Sequence, residues 1–161
     1  MVIDYQNEAE KYRPDLIQTL LVGEAPPSRG DTYFYVPKLL SSKLSIEDDA
    51  SLPATIFHHY FQNRPASIGE YELDLRRLKD MGIFIVDIYD EPIEVRRQRE
   101  NMKLIIYEIP KLREKLAARD IIIQDENMIF LMARKGYEST ISQVFPTARK
   151  FYWKEFRLSS S

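Results

Sequence analysis

Cysteine is absent from this 161-residue sequence, which removes disulfides, thiolate nucleophiles and cysteine-ligated zinc or iron–sulfur clusters from consideration. Histidine is scarce: His58 and His59 are the only two. Adjacent on a predicted helix, they point about 100° apart and do not converge on one metal or substrate; the expectation for each is a surface position beside a buried aromatic. No apolar run approaches the roughly 18 residues a membrane span needs. The N-terminal stretch MVIDYQNEAEKYRPD is charged and interrupted by proline, unlike the apolar core of a signal peptide, so the expectation is a cytoplasmic protein with no membrane partner. Neither charge dominates, the formal net charge being -2. A polyanion would therefore have to be held locally, by Arg96, Arg97 and Arg99 or by Arg149, Lys150, Lys154 and Arg157, clusters whose simpler reading is a solvated helix face. The glycine patterns of a Walker loop, a dinucleotide fingerprint and a nucleophile elbow are missing as well, which leaves Ser28 without a nucleophile's setting.

What is present is enough apolar material for a core, 44% of residues, with 30% charged. The length is that of one domain, and a single α/β domain over residues 1–161 is expected. Leu16 to Val22 reads as a buried strand stopped by Gly-Glu-Ala-Pro-Pro. VPKLLSSKL and ATIFHHYF read as short helices, the second opened by Pro53. Ser67 and Glu70 have capping-box spacing, and Tyr71, Leu73, Leu75, Leu78 and Met81 form a helical stripe that Gly82 ends. The run Ile83 to Ile88 is a second strand, unbroken and rich in β-branched residues. Ile121-Ile122-Ile123 is expected to be a third. Asp125 would cap a helix through Met128, Leu131 and Met132 to Gly136, Ile141 to Phe145 would be the fourth strand, and ARKFYWKEFRL a last helix. Strands separated by helices give a parallel sheet, here four-stranded in a three-layer α/β/α arrangement. Ligands collect at the carboxyl ends of such strands, so Gly23–Phe34, Asp87–Pro92 and Phe145–Arg149 are expected to share one rim.

The segment LLVGEAPPSRGDTYFY resembles the first motif of the uracil-DNA glycosylase superfamily, in its Gly-Glu-Ala-Pro branch. There a strand ends in those four residues, here Gly23, Glu24, Ala25 and Pro26, and an aromatic follows, here Phe34. DMGIFIVDIYDEPI is similar to the superfamily's next strand, which ends in a residue that reads the base edge; Asp87 holds that place. Phe145-Pro146 is the nearest match to the His-Pro that opens the second catalytic motif. Residues 20–35, 81–92 and 141–149 carry the resemblance. It implies a uracil-DNA glycosylase-like fold and a DNA, nucleobase or nucleotide ligand, with hydrolysis of an N-glycosidic bond or, as the alternative, nucleobase binding without catalysis.

On that resemblance Glu24 and Asp87 are the catalytic candidates, and Gly23, Ala25, Pro26, Phe34, Pro146 and Arg149 the substrate-binding ones. Such an enzyme extrudes a nucleotide, stacks its base on an aromatic and reads the Watson–Crick edge, then stabilises a cationic sugar and an anionic base. Ala25 stands where many relatives carry an acid or amide that positions water. Phe145 replaces a histidine and offers no donor to the departing base. The cysteine-bound cluster of some members of that branch has no ligands here, and no cofactor or metal is expected, Asp90 and Glu91 reading as solvated acids. An ionised Asp87 only accepts hydrogen bonds, which suits the two adjacent donors of a guanine edge better than uracil. Structural alternatives stand beside these roles: a rigid strand exit for Gly23–Pro27, a core anchor for Phe34, and a cap or arginine partner for Asp87.

Overall fold

The computed structural model describes residues 4–40, 51–93, 98–133 and 136–159, without the side chains of residues 98 and 99. Arg96, Arg97, the Arg99 side chain and the second half of the VPKLLSSKL helix expected from the sequence lie outside that description; residues 36–40 form no helix.

Four strands, β1 (Thr19–Gly23), β2 (Ile83–Asp87), β3 (Met128–Met132) and β4 (Arg149–Tyr152), form an all-parallel sheet in the order β2-β1-β3-β4. Successive residues Leu20, Leu21 and Val22 point to opposite faces, and all are buried, so both faces of the central strand are covered. That is consistent with helix–sheet–helix layering. Gly82 sets the entry to β2: its φ of +75° is left-handed, and its carbonyl accepts from the amides of Gln18 and Thr19. A Cβ there would lie 2.9 Å from the Gln18 side chain.

Helix α1 (Tyr5–Glu10), capped by Asp4, precedes the sheet. Between β1 and β2 come α2 (Leu52–Phe61), with Ser51 as N-cap and Pro53 in its first turn, and α3 (Ile68–Asp80). In α3 the expected cap is present: Ser67 Oγ accepts from Glu70 N, and Glu70 reaches back to Ala66 N. Tyr71, Leu75 and Leu78 enter the core, whereas Leu73 and Met81 are exposed. From β2 the chain passes through α4 (Gln98–Glu108), a 3-10 turn at Ile109–Lys111 and α5 (Leu112–Ala118). Helices α6 (Glu138–Val144) and α7 (Trp153–Leu158) flank β4.

The C-terminal third differs from expectation. Ile121–Ile123 is not a strand; Asp120, with a φ of +55°, turns the chain after α5, and Ile122 is 92% exposed. The place beside β1 is filled instead by Met128–Met132, which is buried throughout. Asp125 caps no α-helix but accepts two hydrogen bonds from the Arg113 guanidinium. Ile141–Phe145 belongs to α6 and its C-cap, where Ile141 and Phe145 are four residues apart on one face. The tail is a strand before it is a helix, because Arg149–Tyr152 pairs with Ile129–Met132. Phe145 and Pro146 therefore precede the last strand and do not follow it. Ser159 is tied by a hydrogen bond to Phe156 O.

Candidate functional site

The carboxyl ends of β1 and β2 are brought side by side by their register, in which Gly23 stands opposite Asp87. Pairing continues past the strands, Ile88 N donating to Gly23 O and Tyr89 N to Glu24 O, both at 2.9 Å. Glycine at position 23 leaves room for the Asp87 carboxyl, since a Cβ there would lie 2.8 Å from Asp87 Oδ1 and push it aside. The Glu24–Ser28 turn is held from outside by Tyr5, whose hydroxyl donates to Pro27 O at 2.6 Å. After a 3-10 turn at Gly30–Thr32, the chain folds Tyr33, Phe34 and Tyr35 inward. Tyr71 donates to Phe34 O, and Lys38 donates to both Tyr33 O and the Tyr71 hydroxyl. Burial pushes the Lys38 ammonium down to about 8.

These elements enclose a cavity of about 310 Å³ with mainly apolar walls. Gly23, Glu24, Ala25, Pro26, Phe34 and Asp87, six of the residues expected at the site, all line it. Phe34 is only 3% exposed, and its ring also packs on Tyr35, Phe57 and Tyr71 at centroid distances of 5.0, 5.5 and 6.5 Å. It is thus a core residue as well as cavity wall. The volume is at the small end of ligand sites, which begin at about 300 Å³.

Asp87 is half-buried and forms no hydrogen bond or ion pair among the described residues. Its carboxyl is pushed from 3.8 up to about 7, first by desolvation, then by the nearby Asp90 carboxylate, with Glu24 adding to the effect. Arg119 and Lys115 oppose the shift, but both are engaged elsewhere: Arg119 with Glu10 at 3.0 Å, Lys115 with Ile88 O and with Asp90 at 3.3 Å. Near neutral pH the carboxyl therefore exists in both forms. The expectation of an accept-only aspartate holds above that pKa; below it the group also donates. Glu24, half-buried on the same cavity, likewise has no side-chain partner among the described residues.

Pro146 and Arg149 are not at this site. Arg149 is the first residue of β4, level with Ile129, and lines a different cavity with Thr19 and Ile83 at the amino ends of the strands. Pro146 is exposed ahead of it, and Phe145 is fully buried, with its ring 5.3 Å from Phe130 and the Arg113 guanidinium over its face. His59 is buried rather than on the surface. Its ring stacks on Phe156, and its Nδ1 lies 2.7 Å from Phe156 O, a contact that requires the proton on Nδ1.

No family model, curated protein or solved structure matches the chain.

Residues that sequence reasoning missed complete the wall: Ala133 after β3, Trp153 after β4, and Ser51, Leu52 and Pro53 at the start of α2. The Trp153 indole Nε1–H is buried without a hydrogen-bond partner among the described residues. A lone tryptophan directly after an aromatic pair, Phe151-Tyr152, was the available signal. Among the described residues no group of three or more His, Asp or Glu could hold a metal ion, and no helix is long and apolar enough to cross a membrane.

Proposed function

We propose that this cavity binds a single nucleobase and that the protein is a divergent relative of the uracil-DNA glycosylase-like superfamily which hydrolyses an N-glycosidic bond. The observation that carries the reading is the unpartnered Asp87 carboxyl, raised to about 7 and facing the same cavity as Glu24 and Phe34. Two carboxyl groups in one small apolar cavity, one of them holding its proton near neutrality, are the usual materials of acid–base division. With a uracil-like base, whose edge takes the protonated form, Asp87 donates to the departing base while Glu24 takes a proton from the attacking water; a guanine edge, taken by the carboxylate, is bound without that donor. The C1′–N bond breaks with its electron pair leaving on the base, the C1′–O bond forms, and the products are free base and sugar.

Below its pKa Asp87 offers one donor and one acceptor, which suit the N3–H and carbonyl of a uracil edge. Above it the carboxylate takes the two adjacent donors of guanine. The second reading, binding without cleavage, is favoured by the burial of Phe145 in the core, away from the cavity. Base release from oligonucleotides and free nucleosides carrying uracil, hypoxanthine, xanthine or guanine separates the two. Release abolished by Asp87→Ala supports the enzyme, and binding without release supports the module. Neither binding nor release by the wild type refutes both.

A further inference from the structure

A cavity of about 480 Å³ opens at the amino ends of the strands, the opposite end of the sheet from Asp87 and Glu24. Aromatic rings make much of its wall: His59 and Tyr60 of α2, Phe151 of β4 and Phe156 of α7. Tyr60 stands edge-on to both His59 and Phe156, at centroid distances of 4.6 and 6.0 Å, and His59 stacks on Phe156 at 3.8 Å. Into this lining the first residue of β4 brings one guanidinium, that of Arg149, and no Asp or Glu among the described residues lines the cavity with it. Arg149 makes no hydrogen bond or ion pair to another described residue, and neither do the hydroxyls of Tyr60 and Thr19 on the same wall. The guanidinium is near enough to Tyr60 for its charge to be felt: burial pushes the phenol up to about 12, and Arg149 acts against that rise.

A cation without a counter-charge, two free hydroxyls and a ring-lined wall have one kind of complement. A guanidinium fork matches the two oxygens of a carboxylate, the phenol adds a donor, and the rings offer faces and edges to a flat apolar body. With a single positive charge on the lining, a monoanion is matched and a dianion is not. We propose that this cavity is a second binding site, for a small aromatic carboxylate whose charged end meets Arg149 and whose ring system lies among His59, Tyr60, Phe151 and Phe156. The volume is within the range of small-molecule sites, about 300–1,000 Å³. The site shares no residue with the first cavity, so it stands or falls independently of the nucleobase reading.

Calorimetry at pH 8 with 2-naphthoate and its uncharged isostere 2-naphthamide tests it. The naphthoate is expected to bind about tenfold more tightly, the margin of a charge-assisted pair over a neutral contact. Arg149→Met, at an exposed position, keeps an apolar stem and is expected to abolish that margin while leaving the affinity for 2-naphthamide unchanged; Tyr60→Phe is expected to reduce it. Equal binding of the two probes by the wild type, binding of neither, or a margin that survives Arg149→Met overturns the proposal. The dianion 2-naphthyl phosphate is expected to bind no better than the naphthoate, and tighter binding would overturn the assignment to a carboxylate. In NMR spectra the amides of Thr19 and Ile83 are expected to shift on addition of naphthoate while those of Gly23 and Asp87 stay; the reverse pattern puts the ligand in the first cavity and overturns the second site.

Discussion

Replacing Asp87 by asparagine removes a carboxyl whose ionisation the fold opposes, and the effect has a sign and a size. Folding raises this pKa from 3.8 to about 7. The native state therefore binds the proton more tightly than the unfolded chain, and the stability held at acid pH is lost as pH rises from about 4 to about 7, then levels off. Complete desolvation would make the loss about 4 kcal/mol, each tenfold gain in proton affinity being worth about 1.4 kcal/mol. Because Asp87 is only half-buried, solvent screening reduces this, and between pH 5 and pH 8 the wild type is expected to lose about 1–2 kcal/mol more than Asp87→Asn. Urea unfolding of both proteins at several pH values measures the difference directly, since every other titrating group is common to both. Parallel stability–pH curves would refute the argument, and a wild type that gained relative stability with pH would reverse its sign.

Three further outcomes follow from the same geometry. Wild-type affinity for guanosine is expected to rise about tenfold from pH 5 to pH 8 while that for uridine falls, and Asp87→Asn to abolish both trends, as read by calorimetry across pH. Gly23→Ala places a Cβ 2.8 Å from Asp87 Oδ1; it is expected to displace the carboxyl and weaken guanosine binding about tenfold, with a stability loss of about 1 kcal/mol by denaturant titration. Phe145→His puts an imidazole into the packing of Phe130 and Arg113, so it is expected to destabilise the fold by about 2–4 kcal/mol without raising base release.

The parts that were legible in the sequence are those fixed by short-range chemistry. Ser67 and Glu70 announce α3 because a cap is a local hydrogen bond, and Gly82 followed by a run of apolar residues announces β2 because a stop and a β-branched run are both local. The ends of β1 and β2 followed from these, and with them Gly23, Glu24 and Asp87 at one cavity. The third strand was not legible. Ile121–Ile123 and Met128–Met132 are both apolar, and what separates them is tertiary: the left-handed turn at Asp120, the Arg113 grip on Asp125, and a single vacant place beside β1. That one displacement moved the elements that follow, although the last helix, α7, still falls within the segment expected for it. It left Pro146 and Arg149 at the wrong end of the sheet and hid Trp153, whose position depends on the pairing of β4 with β3.

The central claim is tested most directly by carbon-13 NMR titration of the Asp87 carboxyl, with and without carbocyclic guanosine. A midpoint near 7 is expected in the free protein, moved lower by the nucleoside because guanine's two donors favour the ionised form. A midpoint near 3.8, or one that the nucleoside leaves unmoved, would contradict it.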